Sequence, residues 1–173
     1  MDIDRILADP GMREAIVNRL IKEEGFAKLR GDVDIVLRRA DGKTEKRLVR
    51  NLVVNTGLYH IADRLADSQD EVDMGWAAIG DDNTAAAAGD TALSSELGRV
   101  ALTSKVQGTG GTANQVTYSA TVPAGTGTGT IVEAGIFNAN SAGIMLARTI
   151  FSPIVKGSGD ALDITWIMSI SAA

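Results

Sequence analysis

The last stretch of the chain constrains the fold more than any other. In residues 161–171 (ALDITWIMSIS), large apolar side chains stand at every second position from Leu162 to Ile170. Polar residues occupy most positions between them, and Ile167 is the exception. Alternation of this length predicts a β-strand with one buried face. Because that face must be covered by a second apolar surface, the strand predicts a layered β structure.

Composition narrows the classes of function. The 173 residues suit one domain with a small appendage. The chain has no cysteine and one histidine, which excludes disulfides, thiolate chemistry and His-rich metal sites. A net charge of −5 does not favour nucleic acid or an anionic membrane as a partner. No apolar run is long enough to span a bilayer, and the start lacks a signal-peptide pattern. We therefore expect synthesis in the cytoplasm.

Charge is distributed unevenly along the chain. Residues 1–73 contain 13 Lys/Arg and 15 Asp/Glu, whereas residues 74–173 contain 4 and 7. The second part is correspondingly rich in Gly, Ala, Thr and Ser. We therefore expect three regions: a helical arm over residues 1–31, a charged hairpin with a short helix over 32–73, and a β-sandwich domain over 74–173.

The N-terminal region has the signals of an amphipathic helix over residues 10–24. Asp9 is a suitable N-cap before Pro10, and Gly25 is a suitable C-cap. The predicted helix carries one apolar stripe, made of Met12, Ile16 and Leu20 with Val17 and Ile21 beside them. Two interpretations stay open, docking on its own domain or docking on a neighbouring subunit. A charged linker is expected over residues 28–31.

A hairpin is predicted where Asp41-Gly42 separates two alternating runs, residues 32–40 and 44–54. It carries a local basic cluster made of Arg38, Arg39, Lys43, Lys46, Arg47 and Arg50. This cluster is either a solvated face or a patch that meets an acidic partner. The candidate interface residues are Met12, Ile16 and Leu20 of the helix and Arg38, Arg47 and Arg50 of the hairpin.

A short helix is predicted over residues 56–67. Its apolar residues follow the spacing of one buried face, namely Leu58, Ile61, Ala62 and Leu65. His60 lies just off this stripe and is predicted to be structural. Further along, Thr91 is a possible cap for a single helical turn that reaches residue 97.

The remaining chain is predicted to form a succession of short strands. These are residues 74–79, 99–107, 115–122, 130–138, 144–151 and 161–171. Turn-forming residues separate them, which favours an antiparallel β-sandwich or a jelly-roll-like domain. The fold class is therefore mainly β, with the N-terminal helix and the hairpin as extensions.

Three polar features were weighed as possible sites. The acidic group at residues 81–83, with Asp90, has suitable ligands for Ca²⁺ but no EF-hand spacing, so an ordinary turn is expected. The glycine-rich residues 125–129 lack the lysine and the helix of a phosphate loop, which favours a flexible surface loop. Glu133 lacks a facing carboxylate for acid–base chemistry. It is expected at a sheet edge or in an intermolecular contact with Arg99 or Arg148.

Six motifs follow one another in a recognisable order. They are NLVVNTGL from residue 51, AIGDDNTA from 78, GDTAL from 89, VEAGIFN from 132, MLARTIF from 145 and KGSGD from 156. This order resembles a family of small tailed-bacteriophage virion proteins of the head-decoration or tail-fibre-like type. The resemblance covers about residues 48–171 and leaves residues 1–31 outside it. It implies an oligomeric virion component and supplies no catalytic residues.

The expected function is that of a capsid decoration, or cement, subunit located in the virion. The expected partners are further copies of the chain, as a homotrimer, and the major capsid protein or other virion proteins. No cofactor, nucleic acid or membrane partner is expected. The alternative is a tail-fibre or tail-tip component that binds a receptor. An enzyme is not expected, because the chain nominates neither a nucleophile nor a carboxylate pair.

Overall fold

The strand that ends the chain lies at the centre of a sheet. The computed structural model describes residues 28–68 and 71–171. Its first sheet has five strands in the spatial order β2 (Thr44–Arg50), β1 (Lys28–Arg38), β10 (Ala161–Ser171), β7 (Gln115–Val122) and β6 (Ser104–Gln107). The predicted bounds of the last strand and of residues 115–122 are confirmed.

A second sheet lies against the first. It also has five strands, in the order β3 (Leu52–Val53), β9 (Met145–Lys156), β8 (Gly129–Phe137), β4 (Trp76–Gly80) and β5 (Glu96–Ala101). One α-helix, α1 (Asn55–Ala66), and one turn of 3₁₀ helix (Gly110–Thr112) complete the elements of the described residues. The prediction of a mainly β, antiparallel sandwich is confirmed.

On each side of this sandwich the chain passes directly from the end strand of one sheet to the end strand of the other. On one side β2 ends the first sheet and, after Asn51, the chain continues as β3 at the end of the second. On the other side β5 and β6 are separated by Leu102 and Thr103. Leu102 N–H donates to the carbonyl of Gly75, and Thr103 N–H donates to the carbonyl of Ser119. The strands at the ends of the two sheets are short, with seven residues in β2, four in β6, two in β3 and six in β5.

The alternation of β10 places its apolar residues between the sheets. Leu162, Ile164 and Trp166 are at most 1% exposed. In the register with β7, Trp166 stands opposite Tyr118 and Ile164 opposite Ala120, and all four residues are buried. Burying a large apolar side chain contributes about 1.5–3 kcal/mol, so this strand is a major source of the domain's stability.

The two strands at the centre of the second sheet differ from β10 because both of their faces are covered. Every residue over 131–137 of β8 is buried, and so is every residue over 145–149 of β9. One face meets the first sheet. A covering loop, defined here as residues 81–95, lies on the other. Leu93 of this loop packs with Phe137 and Met145 in a second, smaller apolar cluster.

The first hairpin is part of the first sheet, where β1 lies between β2 and β10. Val33, Ile35 and Leu37 of β1 are fully buried. Residues 30–169 form one compact unit. Strands from both sides of residue 73 lie in each sheet, with β1 beside β10 in the first and β3 beside β9 in the second. The predicted linker over residues 28–31 is the first part of β1.

Three predicted local elements also differ in the structure. Residues 91–97 form no helical turn, because the N–H groups of Ser94 and Ser95 donate to the Glu133 carboxylate instead. The strand predicted over 99–107 is interrupted at the corner between β5 and β6. The strand predicted over 144–151 extends to Lys156. The helix predicted over residues 10–24 lies outside the described residues.

Candidate attachment surface

The six residues predicted to form an interface are not brought together in the described part of the chain. Three of them lie outside the described residues: Met12, Ile16 and Leu20. The other three, Arg38, Arg47 and Arg50, belong to the first hairpin. Side chains alternate between the two faces of a strand, so Arg47 points away from the face that carries Arg50.

Arg47 connects the two sheets. Its position on β2 pairs with Ile35, which faces the core. The guanidinium donates to the carbonyls of Ser152 (3.3 Å) and Pro153 (2.9 Å) in β9 and also pairs with Glu45. These contacts join β2 of the first sheet to β9 of the second, so Arg47 is a structural link between the two sheets.

Arg38 and Arg50 lie on the outward face of the first sheet. Ion pairs cross this face, joining Arg38 with Asp163 (2.6 Å), Lys46 with Asp34 (2.6 Å), and both Arg30 (2.8 Å) and Arg50 (3.9 Å) with Asp32. The carboxylates come from β1 and β10, so the basic cluster seen in the sequence is largely neutralised by its own sheet. This face therefore has little net charge for an acidic partner.

Helix α1 is confirmed, but the face predicted to be buried is largely exposed. Leu58 is 44% exposed and Leu65 is 85% exposed. The buried side consists instead of Gly57 and His60, with Ile61 half-buried. The helix is thus rotated relative to the orientation that its apolar spacing predicts.

The rotation of α1 follows from its contacts with the start of β9. A Cβ atom at Gly57 would lie 2.0 Å from the carbonyl oxygen of Leu146, so only glycine permits this approach. The Thr56 hydroxyl donates to the Met145 carbonyl (2.9 Å), and Val54 N–H donates to the Leu146 carbonyl (3.3 Å). These contacts fix which side of the helix touches the sheet.

The result is a concentration of exposed apolar side chains around α1. The apolar helix face is defined here as Leu58, Tyr59 and Leu65, and Tyr59 is 70% exposed. Leu52, before the helix, and Val72, after it, are exposed as well. Large exposed apolar residues grouped in this way are typical of a protein–protein contact. The apolar helix face is the best candidate attachment surface among the described residues.

Sequence reasoning missed this surface because apolar residues lie on both sides of the helix. The helical spacing and the large size of Leu58 and Leu65 predicted that both side chains would be buried. The available signal was Gly57, since a glycine inside a helical pattern often marks a close approach. Given that signal, the buried side would have been predicted at residues 57, 60 and 61.

A buried ionic cluster holds the covering loop on the second sheet. Glu133 is fully buried and Arg148 is 1% exposed. Arg148 donates to Glu133 Oε2 through Nε (2.9 Å) and Nη2 (2.7 Å). Its Nη1 donates to Asp90 Oδ2 (2.8 Å), and its Nη2 donates to Ser94 Oγ (3.1 Å). The cluster joins two strands to a loop and satisfies its charges internally.

The position of Glu133 corrects one prediction and refines another. Glu133 lies on β8, a central strand, and not at a sheet edge. Its partner is Arg148, one of the two arginines named from the sequence, and the contact is within the chain. Gly80 stands directly opposite Glu133, and a Cβ atom there would lie 2.4 Å from Glu133 Oε1. The glycine therefore provides the space for the carboxylate.

The other arginine named as a partner, Arg99, holds a different loop. Its guanidinium lies 3.8 Å from the centre of the Phe137 ring and pairs with Glu96. It also donates to the carbonyls of Ala139 and Ala142, both at 2.9 Å. Arg99 thus anchors the turn between β8 and β9.

A second buried cation anchors the glycine-rich loop, which was predicted to be flexible. Lys156 is 1% exposed, and its ammonium donates to the carbonyls of Pro123 (3.0 Å) and Thr126 (2.8 Å). Burial lowers the pKa of Lys156 below its ordinary value. Gly125 N–H also donates to the Ser158 carbonyl (2.8 Å). The loop is therefore held at several backbone positions.

Asp160 lies at the same end of the sandwich as Lys156. Its carboxylate accepts the N–H groups of Gly157 (2.9 Å) and Ala40 (3.0 Å), and it pairs with Arg39 (3.3 Å). The two N–H donors lower the pKa of this carboxyl below its usual range. Asp160 thus joins the turn of the first hairpin to the turn between β9 and β10.

The acidic group at residues 81–83 with Asp90 is divided between structural contacts. Asp82 accepts the N–H of Thr84 (2.7 Å), while Asp90 pairs with Arg148. Over residues 28–68 and 71–171, no three His, Asp or Glu side chains gather in a way that would hold a metal ion. Within those ranges no helix is long and apolar enough to cross a membrane.

Comparisons with known proteins give no match to this chain. No family model matches it, and neither the curated proteins nor the solved structures contain a significant match.

Proposed function

We propose that this chain is a structural protein of a tailed-bacteriophage virion, namely a decoration subunit that binds the outside of the head. The proposal starts from the ordered motifs of residues 51–160 and their resemblance to small virion proteins. One observation carries it further: four of the six motifs contribute to the two buried ionic clusters that hold the loops.

The contributions of these motifs are specific. GDTAL supplies Asp90, VEAGIFN supplies Glu133 and MLARTIF supplies Arg148 to the cluster under the covering loop. KGSGD supplies Lys156 and Asp160, which hold the loops at one end of the sandwich. The motifs that carry the resemblance are thus the framework of the fold. Buried charged side chains that bind loops in place are expected of a rigid structural subunit. A catalytic site, in contrast, needs ionisable groups that can reach a substrate.

The proposed mechanism is physical. A decoration subunit buries surface across the junctions between neighbouring capsid proteins, and binding to the assembled shell stabilises it by mass action. Stable interfaces bury about 1,200–2,000 Å² in total. The apolar helix face supplies an apolar surface for the contact between subunits. We expect the chain to act as a homo-oligomer, and a trimer suits a site where several capsid proteins meet.

The first test is the copy number of the chain in purified particles of the phage that encodes it. Quantitative mass spectrometry against the major capsid protein should find hundreds of copies. A handful to a few tens of copies would place the chain in the neck, the tail or a fibre. Absence from the particle would contradict any virion role.

The second test is removal of the N-terminal region. The structure sets the correct end of this deletion: β1 begins at Lys28, so residues 1–27 can be removed without shortening a strand. We expect the shortened protein to keep the β spectrum in circular dichroism and to lose binding to particles that lack the subunit. Full binding by the shortened protein would assign attachment to residues 28–173.

A tail-fibre or tail-tip role is the second candidate, and one observation favours it. The loop 123–129 is anchored by Lys156, yet Pro123, Ala124 and Thr128 are exposed. Anchored loops with exposed tips are suited to recognition. Binding of the purified protein to host cells, lost when Ala124 and Thr128 are replaced by arginine, would support this role over decoration.

A further inference from the structure

The chain has two apolar helical surfaces, one seen in the structure and one predicted from the sequence. We propose that residues 10–24 of one copy bind the apolar helix face of a second copy, so that subunits exchange their N-terminal segments. This inference deepens the proposed function, because it names the contact that would hold the homo-oligomer together.

The receiving surface is well defined. Leu58 and Leu65 are seven residues apart and therefore share one side of α1, and Tyr59 stands on the flank of that side. The twelve residues of α1 span about 18 Å. The opposite side is fixed to β9 through Gly57 and Thr56. The exposed side chains therefore stand on a rigid base.

The N-terminal segment matches this surface in length and chemistry. Fifteen residues in a helix span about 22 Å, close to the length of α1. The predicted stripe has five large apolar residues, namely Met12, Ile16, Val17, Leu20 and Ile21. Amphipathic helices that dock on an apolar surface use anchors with this i, i+4 spacing.

The size of the surface favours a helix over a second copy of α1. The three residues of the apolar helix face present on the order of 300 Å², at about 100 Å² each. Two such faces packed together bury roughly 600 Å² in total, below the ~1,200 Å² of a stable dimer. They would also leave the apolar stripe of residues 10–24 in water. Exchange of the segment covers both surfaces, and each subunit contributes two contacts.

The short connection favours exchange between copies. Only residues 25–27 separate the predicted helix from the start of β1 at Lys28. Three residues span at most about 10 Å, and short connections favour the exchange of an element between subunits. Each copy gives one segment and receives one, which a two-fold dimer and a closed ring of more subunits satisfy equally.

The absence of cysteine allows a direct test on the full chain. Two variants, Leu20→Cys and Leu65→Cys, are given tags of different mass, refolded together and treated with a short bismaleimide. We expect a cross-linked species that contains one copy of each variant. A third variant, Val106→Cys, places a cysteine at an exposed apolar position of β6 and should not cross-link to Leu20→Cys.

The other outcomes overturn the proposal. A cross-link only between two Leu65→Cys chains would mean that α1 pairs with α1. A cross-link confined to single chains of the double variant Leu20→Cys/Leu65→Cys would place the contact within one copy.

Native mass spectrometry gives an independent readout. Leu65→Glu and Ile16→Glu should each convert the oligomer to monomer, whereas Leu48→Glu, at a 72% exposed position of β2, should leave the oligomer intact. A monomeric wild-type protein would overturn the proposal. Both experiments use purified protein, so their failure is separate from the absence of the chain from virions.

Discussion

The two sheets of the sandwich differ in what lies on their outward faces. The second sheet is covered by residues 81–95 and α1, and its ion pair between Glu133 and Arg148 is buried. The first sheet has ion pairs of the same chemistry, such as Lys46 with Asp34, whose side chains are 60% and 32% exposed. The chain therefore contains the same interaction in two environments.

The difference teaches where charge matters for stability. A buried ion pair attracts strongly but has lost its hydration, so removing one partner leaves an uncompensated charge. An exposed pair keeps its hydration and is screened by salt. We expect substitutions on the covered side, which is the second sheet, to lower the free energy of unfolding. Substitutions on the open side, which is the outward face of the first sheet, should change it little.

The largest effect is expected from Arg148→Met. The substitution leaves Glu133 fully buried without its cation, so the free energy of unfolding should fall by about 3–5 kcal/mol. Urea denaturation should show a lower midpoint with an unchanged slope. The matched control is Glu133→Leu/Arg148→Met, which removes the whole pair and should recover part of the loss. A single variant within about 1 kcal/mol of wild type would contradict the role of the cluster.

Gly80→Ala should have the next largest effect. The added Cβ atom would lie 2.3 Å from the Ser95 carbonyl oxygen, so the covering loop must move. We expect a loss of about 1–3 kcal/mol, the usual range for overpacking. Gly89→Ala in the same loop is the control, because nothing lies within 4 Å of its Cβ position. That variant should be unchanged or stabilised by up to about 1 kcal/mol. Equal losses in both would indicate a general effect of loop glycines.

The pH dependence of the covered side should depend on His60. Burial, and then the positive charge of Arg64, lower the pKa of His60 below its ordinary value of 6.5. The folded state thus favours the neutral imidazole. The stability that this group contributes is fully present above its unfolded pKa and declines as the pH falls from about 6.5 towards the folded pKa.

His60→Gln isolates this effect. The wild type should lose more stability than the variant when urea denaturation is repeated at pH 7.5 and pH 5.5. As the only histidine, His60 also gives a single imidazole signal, so an NMR titration reports its pKa directly. A folded pKa above 6.5 would reverse the sign and refute the prediction.

The smallest effect is expected on the open side. Lys46→Gln removes the partner of Asp34 on the outward face of the first sheet. We expect a change of about 0–1 kcal/mol, since exposed ion pairs contribute little. A double-mutant cycle with Asp34→Asn should give a coupling energy that decreases in 1 M NaCl. A coupling as large as that between Glu133 and Arg148 would remove the contrast between the two sheets.

Much of the framework was predictable from local patterns. The alternation of β10, the Asp-Gly turn between β1 and β2, and the extent of β7 were all read correctly. These features depend on side-chain periodicity and turn chemistry within a few residues. Glu133 was noticed because a carboxylate inside an apolar strand violates the local pattern. Arg148 was named as one of its two possible partners, but the contacts with Ser94 and Ser95 were not predictable, because they depend on where the tertiary structure places the covering loop.

The candidate surface was predicted at the wrong place for a related reason. The sequence placed Leu58 and Leu65 inside because they are large and correctly spaced. The structure buries Gly57 and His60, since the backbone of β9 approaches closely only where a side chain is missing. Arg47 likewise read as part of a basic surface, but its carbonyl partners at Ser152 and Pro153 lie about a hundred residues away in sequence.

The sequence by itself determined the fold class, most strand positions and the presence of α1, because these follow from periodicity, propensity and turn residues along a short stretch. Only the tertiary structure decided that the chain crosses between the sheets at Asn51 and at Leu102–Thr103. It also decided which face of α1 is exposed and which charges are buried in pairs. Each of these depends on the free energy of contacts between distant residues. That free energy is settled only when the two sheets, the covering loop and the helix are packed together.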